Sequence, residues 1–232
     1  ELNLKNFNLL ENGGTFAKFS VDVTGLGYSG TPASLKICYG LSSDEFLWEY
    51  DAGTVENIGV KEVMVPNLTP GVYYYMKAKI VGDSVVETAP IQVQMNNVEG
   101  AASPVSNLVL DGSGSTTLSL SGSLDLSSGS SASITVLVGV SPEKMTSVWG
   151  ELSGSQLTSA GIFRLTLNAD FEDEKYLAPG MTYYVQLLVK YSDGSAVVTT
   201  PTSVTMSKLT DGMWTYVETT TNADGSGSGT IS

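Results

Sequence analysis

Apolar and polar residues alternate along much of the chain, most clearly after each of two Pro-Gly pairs. In residues 73–80, Tyr74, Met76, Ala78 and Ile80 fall on one face of an extended chain. Since successive side chains of a β-strand point to opposite faces, this alternation predicts a strand with one face in a core. No window shows helical periodicity, so the chain is predicted to be all-β. The predicted strands of the first half lie near 15–23, 33–41, 60–65, 72–81 and 85–95.

The pattern occurs twice, which predicts two copies of one domain. LTPGVYYYMKAKI (68–80) aligns with LAPGMTYYVQLLV (177–189), and ASLKICYGLS (33–42) aligns with ASITVLVGVS (132–141). These blocks keep their order while the segments between them change slightly in length, as expected when repeated domains differ in their loops. Short strands between turn signals at this spacing are typical of β-sandwiches.

The repeat divides the chain into four parts. We expect a first sandwich at 1–95, a linker at 96–104, a second sandwich at 105–206 and a tail at 207–232. Because the linker is short and polar, the two sandwiches are expected to lie end to end with limited bending. The tail alternates in part like a strand. It is interpreted as the start of a further domain, as a strand donated to a neighbour, or as a segment docked on the second sandwich.

The two Pro-Gly turns carry a family resemblance. LTPG (68–71) followed by Tyr74, and LAPG (177–180) followed by Tyr183, resemble the E–F corner of fibronectin type III domains, as in bacterial extracellular proteins. The resemblance implies two tandem fibronectin type III-like or immunoglobulin-like β-sandwiches followed by a short C-terminal β segment. It also implies that both tyrosines form structural tyrosine corners, in which the hydroxyl bonds to the backbone upstream.

One position departs from the family pattern. The second strand of each copy lacks the usual core tryptophan. It offers Phe16 and Phe19 in the first copy, and Leu118 and Leu120 in the second. A related immunoglobulin-like topology therefore stays open.

Composition limits the chemistry. The 232 residues include no histidine, one cysteine (Cys38), 11 Lys and Arg and 24 Asp and Glu, for a formal net charge of −13. Without histidine there is no Ser-His-Asp or Cys-His nucleophile and no histidine-ligated metal site, so an enzyme is not expected. Nucleic acid is not an expected partner, because binding its phosphates needs clustered cations and this chain is acidic. No membrane-spanning helix is expected either, because no apolar run is long enough. Few thiols suit an extracellular or cell-surface location.

Aromatic residues give the first candidate site. Tyr73 and Tyr75 share the outer face of the strand at 72–81, and Trp48 lies near the end of the strand predicted at 33–41 or just past it. Sugars stack on flat aromatic faces, so these three residues are a candidate sugar-stacking site. The alternative is that they pack on neighbouring strands, on the other domain or on another subunit.

Acidic residues give the second candidate site. The densest cluster lies before the second corner and consists of Asp170, Glu172, Asp173 and Glu174. Carboxylate oxygens are the ligands that Ca²⁺ prefers, so Ca²⁺ is the one candidate cofactor. The same residues would also be ordinary on a solvated loop of an acidic protein.

Together these features favour a non-catalytic structural or adhesive module of an extracellular surface protein or filament. It would act as a spacer and as a protein–protein contact region. The expected partners are other protein domains or subunits, reached through edge strands or the tail. The alternative is a carbohydrate-binding accessory module of a secreted polysaccharide-degrading enzyme, with a polysaccharide as partner. The two hypotheses differ in whether Tyr73, Tyr75 and Trp48 form one exposed surface.

Overall fold

The computed structural model shows an all-β protein, as predicted, and describes residues 1–28, 31–100, 103–126, 131–145, 147–153, 161–168, 176–209, 218–221 and 227–230. The strands of the first half are β1 (Leu2–Asn12), β2 (Ala17–Leu26), β3 (Ala33–Gly40), β4 (Trp48–Val55), β5 (Gly59–Val65), β6 (Tyr73–Val81), β7 (Val85–Glu87) and β8 (Ile91–Gln94). Those of the second half are β9 (Val105–Asp111), β10 (Thr117–Leu124), β11 (Ala132–Gly139), β12 (Ser147–Ser153), β13 (Ile162–Asn168), β14 (Thr182–Tyr191), β15 (Ala196–Val198) and β16 (Thr202–Thr205). The tail contributes β17 (Glu218–Thr221) and β18 (Gly227–Thr230).

Strands β1 to β8 form two antiparallel sheets with a core between them. One sheet has the order β1-β2-β5, and the other has the order β4-β3-β6-β7, with β8 also paired to β6. Alternation decides which residues enter the core, because Tyr74, Met76, Ala78 and Ile80 of β6 are buried while their neighbours are half-buried. Phe19, the aromatic residue that β2 offers in place of tryptophan, is fully buried.

The second half repeats this arrangement. Its sheets have the orders β9-β10-β13 and β12-β11-β14-β15, with β16 also paired to β14. Leu118 and Leu120 of β10 and Phe163 of β13 are buried between the sheets. The same pairing order in both halves establishes two tandem sandwiches of the fibronectin type III or immunoglobulin-like class.

The structure differs from the predicted strands at three places. The strand predicted at 85–95 is two strands, β7 and β8. Two strands, β1 and β4, had no predicted counterpart. In β1 the alternation is interrupted by register shifts against β2 and by a left-handed backbone at Asn6 (φ 51°), so no simple period marks it.

The tail forms a small sheet of its own. β17 and β18 pair with each other as an antiparallel hairpin. Within the described ranges, neither strand pairs with a strand of the sandwiches. The interpretations of the tail as the start of a further domain, as a donated strand or as a docked segment stay predictions.

Candidate functional site

The corner before β6 is built by a Pro-Gly turn. Pro70 presets the backbone, and Gly71 takes a φ of +75°, the left-handed conformation that a type II turn requires there. The amide of Val72 donates to the carbonyl of Thr69 at 3.4 Å and closes the turn. The hydroxyl of Tyr74 accepts a hydrogen bond from the amide of Thr69 at 3.0 Å. Burial raises the pKa of this hydroxyl, so Tyr74 stays neutral.

The second corner has the same geometry. Gly180 has a φ of +75°, and the amide of Met181 donates to the carbonyl of Ala178 at 3.2 Å. The hydroxyl of Tyr183 accepts a hydrogen bond from the amide of Ala178 at 2.8 Å. In both copies the tyrosine hydroxyl is used inside the protein, where it ties the start of the strand to the turn.

Tyr73 and Tyr75 lie on the outer face of β6, and both are half-buried. The hydroxyl of Tyr75 accepts a hydrogen bond from the side-chain amide of Gln92 in β8 at 3.1 Å. The same amide nitrogen lies 3.5 Å from the carbonyl oxygen of Glu143 in the second sandwich. Tyr75 therefore sits at the border between the two sandwiches, with its hydroxyl engaged by protein.

Trp48 is the first residue of β4 and pairs with Tyr39 of β3. Residues opposite each other in an antiparallel pair share a face of the sheet, so Trp48 lies on the core side. Its ring stacks on Tyr39 with centroids 5.5 Å apart and meets Tyr74 edge-on at 6.2 Å. Tyr73 and Tyr75 lie on the opposite side of the sheet. The three candidate sugar-stacking residues are not brought together, so the carbohydrate alternative lacks the single surface it needs.

Charged side chains occupy the middle of this outer face. Glu49 forms ion pairs with Lys36 and, at 3.1 Å, with Lys79. Hydrogen bonds from Lys36 and Lys79 lower the pKa of Glu49. The thiol of Cys38 donates to Glu49 Oε2 at 3.6 Å, and burial raises its pKa to about 11. A thiol that is protonated at neutral pH is a poor nucleophile, so the geometry gives Cys38 a structural role.

The predicted calcium ligands lie outside the described residues. Asp170, Glu172, Asp173 and Glu174 fall in the range 169–175, so the calcium site stays a prediction. Within the part of the chain that the structure describes, no group of three or more His, Cys, Asp or Glu side chains is placed to hold a metal ion. The same ranges contain no helix long and apolar enough to cross a membrane.

The corner of the first sandwich contacts the second sandwich. Thr69 Oγ1 donates to the carbonyl of Val198 at 2.9 Å, and Thr200 Oγ1 donates to the carbonyl of Pro70 at 2.8 Å. The contact is close, because a Cβ on Gly71 would lie 3.0 Å from Cγ2 of Thr200. Two hydrogen bonds of opposite direction therefore connect the corner to the last residue of β15 and to the segment that follows it.

Apolar residues on the outer face of β11 and β14 are buried at this contact. Leu137 and Leu188 are 7% and 5% exposed, although alternation points them away from their own core. Together with Val198, they belong to the apolar cluster of the first sandwich. Gln186 on the same face is 1% exposed and donates to the carbonyl of Thr199 at 2.9 Å. We call this contact the joint, and it comprises Thr69, Pro70, Leu137, Leu188, Val198 and Thr200.

The joint overturns one expectation from the sequence. The sandwiches do not lie end to end, since the corner end of the first lies against the sheet face of the second. A signal for this contact is present in the repeat, because Cys38 and Lys79 of the first copy align with Leu137 and Leu188 of the second. Large apolar residues on the outer face of only one copy indicate a surface that other protein covers.

Comparisons with known proteins find similarity only among solved structures. No protein-family model and no curated protein matches the chain. The FN1–FN3 domains of chicken CNTN1 are 11% identical with a TM-score of 0.34, over 87% of this chain and 66% of that chain. The chicken interferon gamma receptor alpha chain, in its selenomethionine form, is 11% identical with a TM-score of 0.31, over 88% of this chain and 98% of that chain. Likeness at this level gives no information on ligands or partners.

Proposed function

We propose that this chain is a non-catalytic spacer and protein–protein contact module of an extracellular surface protein or filament. The observation that carries the proposal is the joint, which connects two sandwiches through side chains rather than through the linker alone. A spacer must keep a fixed orientation between its two ends. Side-chain contacts between the sandwiches restrict their relative orientation. The strand edges that are unpaired within the described ranges remain for contacts with other proteins.

The energetics of the joint support a stiff arrangement. Separating the sandwiches would expose Leu137 and Leu188, and each fully exposed leucine costs about 1.5–3 kcal/mol. The two hydrogen bonds made by Thr69 and Thr200 would also be exchanged for bonds to water. Both contributions favour the joined state over the separated one, against the cost of ordering the two sandwiches.

The surface chemistry supports a location outside the cell. The net charge of −13 keeps copies of the molecule apart and favours solubility. The single thiol, Cys38, is 5% exposed, so burial limits its access to oxidants in an oxidising environment.

The stiffness of the joint can be measured by electron–electron distance spectroscopy. Spin labels at Met64→Cys and Val109→Cys would report on one sandwich each, since both positions are exposed strand sites. We expect a narrow distance distribution in the otherwise unchanged chain. The double variant Leu188→Asp with Thr200→Ala should broaden it, because a carboxylate in the joint opposes burial.

Val60→Asp provides the matched control, since it adds the same charge at a position that is 65% exposed and lies on β5, outside the joint. It should leave the distribution narrow. A broad distribution before any joint substitution would show flexible domains and would overturn the proposal of a stiff spacer.

A further inference from the structure

The corner end of the second sandwich carries exposed apolar side chains. Val140 directly follows β11 and is 69% exposed, and Met181 directly precedes β14 and is 48% exposed. Both lie at one end of the sheet, because β11 and β14 are antiparallel neighbours in which Gly139 is opposite Tyr184. We call this surface the second corner end, and it comprises Val140, Ala178, Pro179 and Met181.

The aligned residues of the first sandwich are buried. In the repeat, Leu41 aligns with Val140, and Val72 aligns with Met181. Leu41 is 6% exposed and Val72 is 0% exposed. Both belong to the apolar cluster that the first sandwich shares with the joint residues of the second. The same end of the fold is therefore covered in one copy and exposed in the other.

The joint shows what kind of surface covers such an end. There the outer sheet face of the second sandwich, with Leu137 and Leu188, packs into the apolar cluster of the first. The two corners have the same backbone geometry, since Gly71 and Gly180 both have a φ of +75°. A surface that fits the first corner therefore also suits the second. The matching occupant is the outer face of another sandwich, with large apolar residues at the positions of Leu137 and Leu188.

The second corner end keeps one of the two hydrogen-bonding groups of the joint. At the joint, Thr200 Oγ1 donates to the carbonyl of Pro70. The second copy has Pro179 at the aligned position, so the acceptor is present again. Thr69, the donor of the other bond, is replaced by Ala178, which has no hydroxyl. Docking at the second corner end would thus depend more on apolar burial than the joint does.

A second copy of this chain does not offer a matching face. Its apolar face is already covered at its own joint. On its first sandwich, Cys38 and Lys79 stand at the positions of Leu137 and Leu188, and Lys79 pairs with Glu49 at 3.1 Å. Covering this charged face with an apolar corner end would take ions out of water without adding a partner for them. The occupant is therefore a sandwich with a different, apolar outer face.

We propose that the second corner end docks the apolar outer sheet face of a further β-sandwich of the same class, in a repetition of the joint. The inference rests on the proposed role as a protein-contact module, and it names the contact surface and the class of partner. The stiffness of the first joint is measured with other labels, so that proposal can hold when this one fails.

The test uses a chain with three sandwiches. Residues 96–206 are appended after Met206, so that linker and second sandwich follow the second corner as they follow the first. Met181→Cys is introduced in the original second sandwich, and its reaction with an aromatic disulfide reagent is timed. We expect a rate at least about tenfold lower than in the full chain with the same substitution, because docking at high effective concentration buries the thiol. Val140→Cys should give the same result.

Two controls accompany this measurement. Val109→Cys, at a β9 position that is 58% exposed, should react at the same rate in both chains. Cys38 is 5% exposed and adds only a slow background. Circular dichroism per residue, equal in the two chains, checks that the appended sandwich is folded.

A substitution in the appended sandwich alone then locates the docked face. Leu188→Asp should restore fast reaction of the thiol at position 181, because a carboxylate in the contact opposes burial. Val109→Asp in the same sandwich adds the same charge at an exposed position and is the matched control. It should leave the reaction slow.

A second experiment needs no appended sandwich and decides the question if that sandwich does not fold. In the full chain, the outer face of the first sandwich receives the aligned residues of the second through Cys38→Leu, Lys77→Gln, Lys79→Leu and Glu87→Val. We expect this chain to associate head to tail in sedimentation measurements up to about 1 mM, while the parent chain stays monomeric. Adding Met181→Asp should prevent the association, and adding Val109→Asp should not.

Three results would overturn the proposal. One is an equal rate of the Met181→Cys thiol in both chains when the appended sandwich is folded, or an unchanged mass of the full chain in the second experiment. Another is slow reaction that Leu188→Asp does not relieve. The third is slow reaction in the full chain that becomes fast in a chain ending at Met206, which would make the tail the occupant.

Discussion

The hydroxyl of Tyr74 accepts a hydrogen bond from the amide of Thr69 at 3.0 Å. The hydroxyl of Tyr183 accepts one from the amide of Ala178 at 2.8 Å. A turn that folds back on a strand leaves some backbone amides without a neighbouring strand, and a buried amide must be paired. The tyrosine ring reaches across the corner, and its hydroxyl oxygen accepts the hydrogen bond of that amide. At the scale of single residues, this explains why each copy places a tyrosine three positions after its Pro-Gly pair.

Tyr74→Phe is therefore expected to destabilise the first sandwich by about 1–2 kcal/mol, because it keeps the ring and leaves the amide of Thr69 without its acceptor. Urea unfolding followed by tryptophan fluorescence measures the change, because Trp48, one of the three tryptophans, packs on Tyr74. Tyr75→Phe is the control, because its hydroxyl bonds an exposed glutamine side chain, and it should cost less than about 0.5 kcal/mol. Equal losses from the two substitutions would contradict the role given to the corner.

Cys38 is expected to make the folding stability of the chain depend on pH in the alkaline range. Burial raises the pKa of its thiol from 9.0 to about 11 in the folded protein, so the folded state holds this proton more tightly than the unfolded state. The resulting stability is present below about pH 9 and is lost as the pH rises through about 11. Urea unfolding between these values should show a steeper loss of stability in the parent chain than in Cys38→Ala. Parallel curves would show that the thiol makes no such contribution.

At the scale of elements, the last strand of each sandwich is interrupted in the same way. The amide of Thr88 donates to the carbonyl of Ala78 at 2.9 Å, and the amide of Ala78 donates to the hydroxyl of Thr88 at 3.0 Å. Thr199 makes the same two bonds with Leu187, each at 2.9 Å. A proline follows two residues later in both copies and cannot donate to the ladder. The threonine hydroxyl takes the place of a backbone acceptor where the strand breaks.

Thr199→Val should destabilise the second sandwich by about 1–3 kcal/mol, since it leaves the buried amide of Leu187 unpaired. Thr88→Val should act in the same direction on the first sandwich, by about 1 kcal/mol, because Thr88 is only half-buried. Thr202→Val, an exposed change on β16, should stay within about 0.5 kcal/mol. Calorimetry of the three variants tests this, and a loss at Thr202 as large as that at Thr199 would refute it.

At the scale of the whole molecule, two features act together. The joint fixes one sandwich against the other, and the net charge of −13 repels the parts of the chain from one another. The ion pair between Lys18 and Glu62 is exposed and contributes little, and the other ion pairs of the first sandwich also lie at the surface. The balance of long-range charge is therefore unfavourable to folding at low salt.

Raising the ionic strength is expected to stabilise the folded chain. Salt screens the repulsion among the excess carboxylates, with a Debye length of about 10 Å at 0.1 M. We expect the melting temperature to rise by about 2–4 °C between about 0.01 and 0.3 M sodium chloride, equivalent to roughly 1 kcal/mol for a chain of this size. Equal concentrations of sucrose are the control for effects other than screening. A fall in melting temperature would mean that the ion pairs outweigh the repulsion.

Sequence patterns predicted those elements whose alternation is uninterrupted. β6 follows a strict period of two, and its buried and half-buried residues match the prediction position by position. β1 and β4 escaped prediction because bulges shift their registers, and a one-residue shift moves a side chain to the other face. Trp48 shows the consequence, since its face of the sheet could not be assigned until β4 and its pairing with Tyr39 were known.

The sequence by itself determined the all-β class, the two copies and both tyrosine corners, because turn chemistry and alternation act over a few neighbouring residues. Only the tertiary structure decided which surfaces meet. Leu188 is buried because the first sandwich covers it at the joint. Trp48 faces the core because β4 pairs with β3. In both cases the neighbours are distant in sequence.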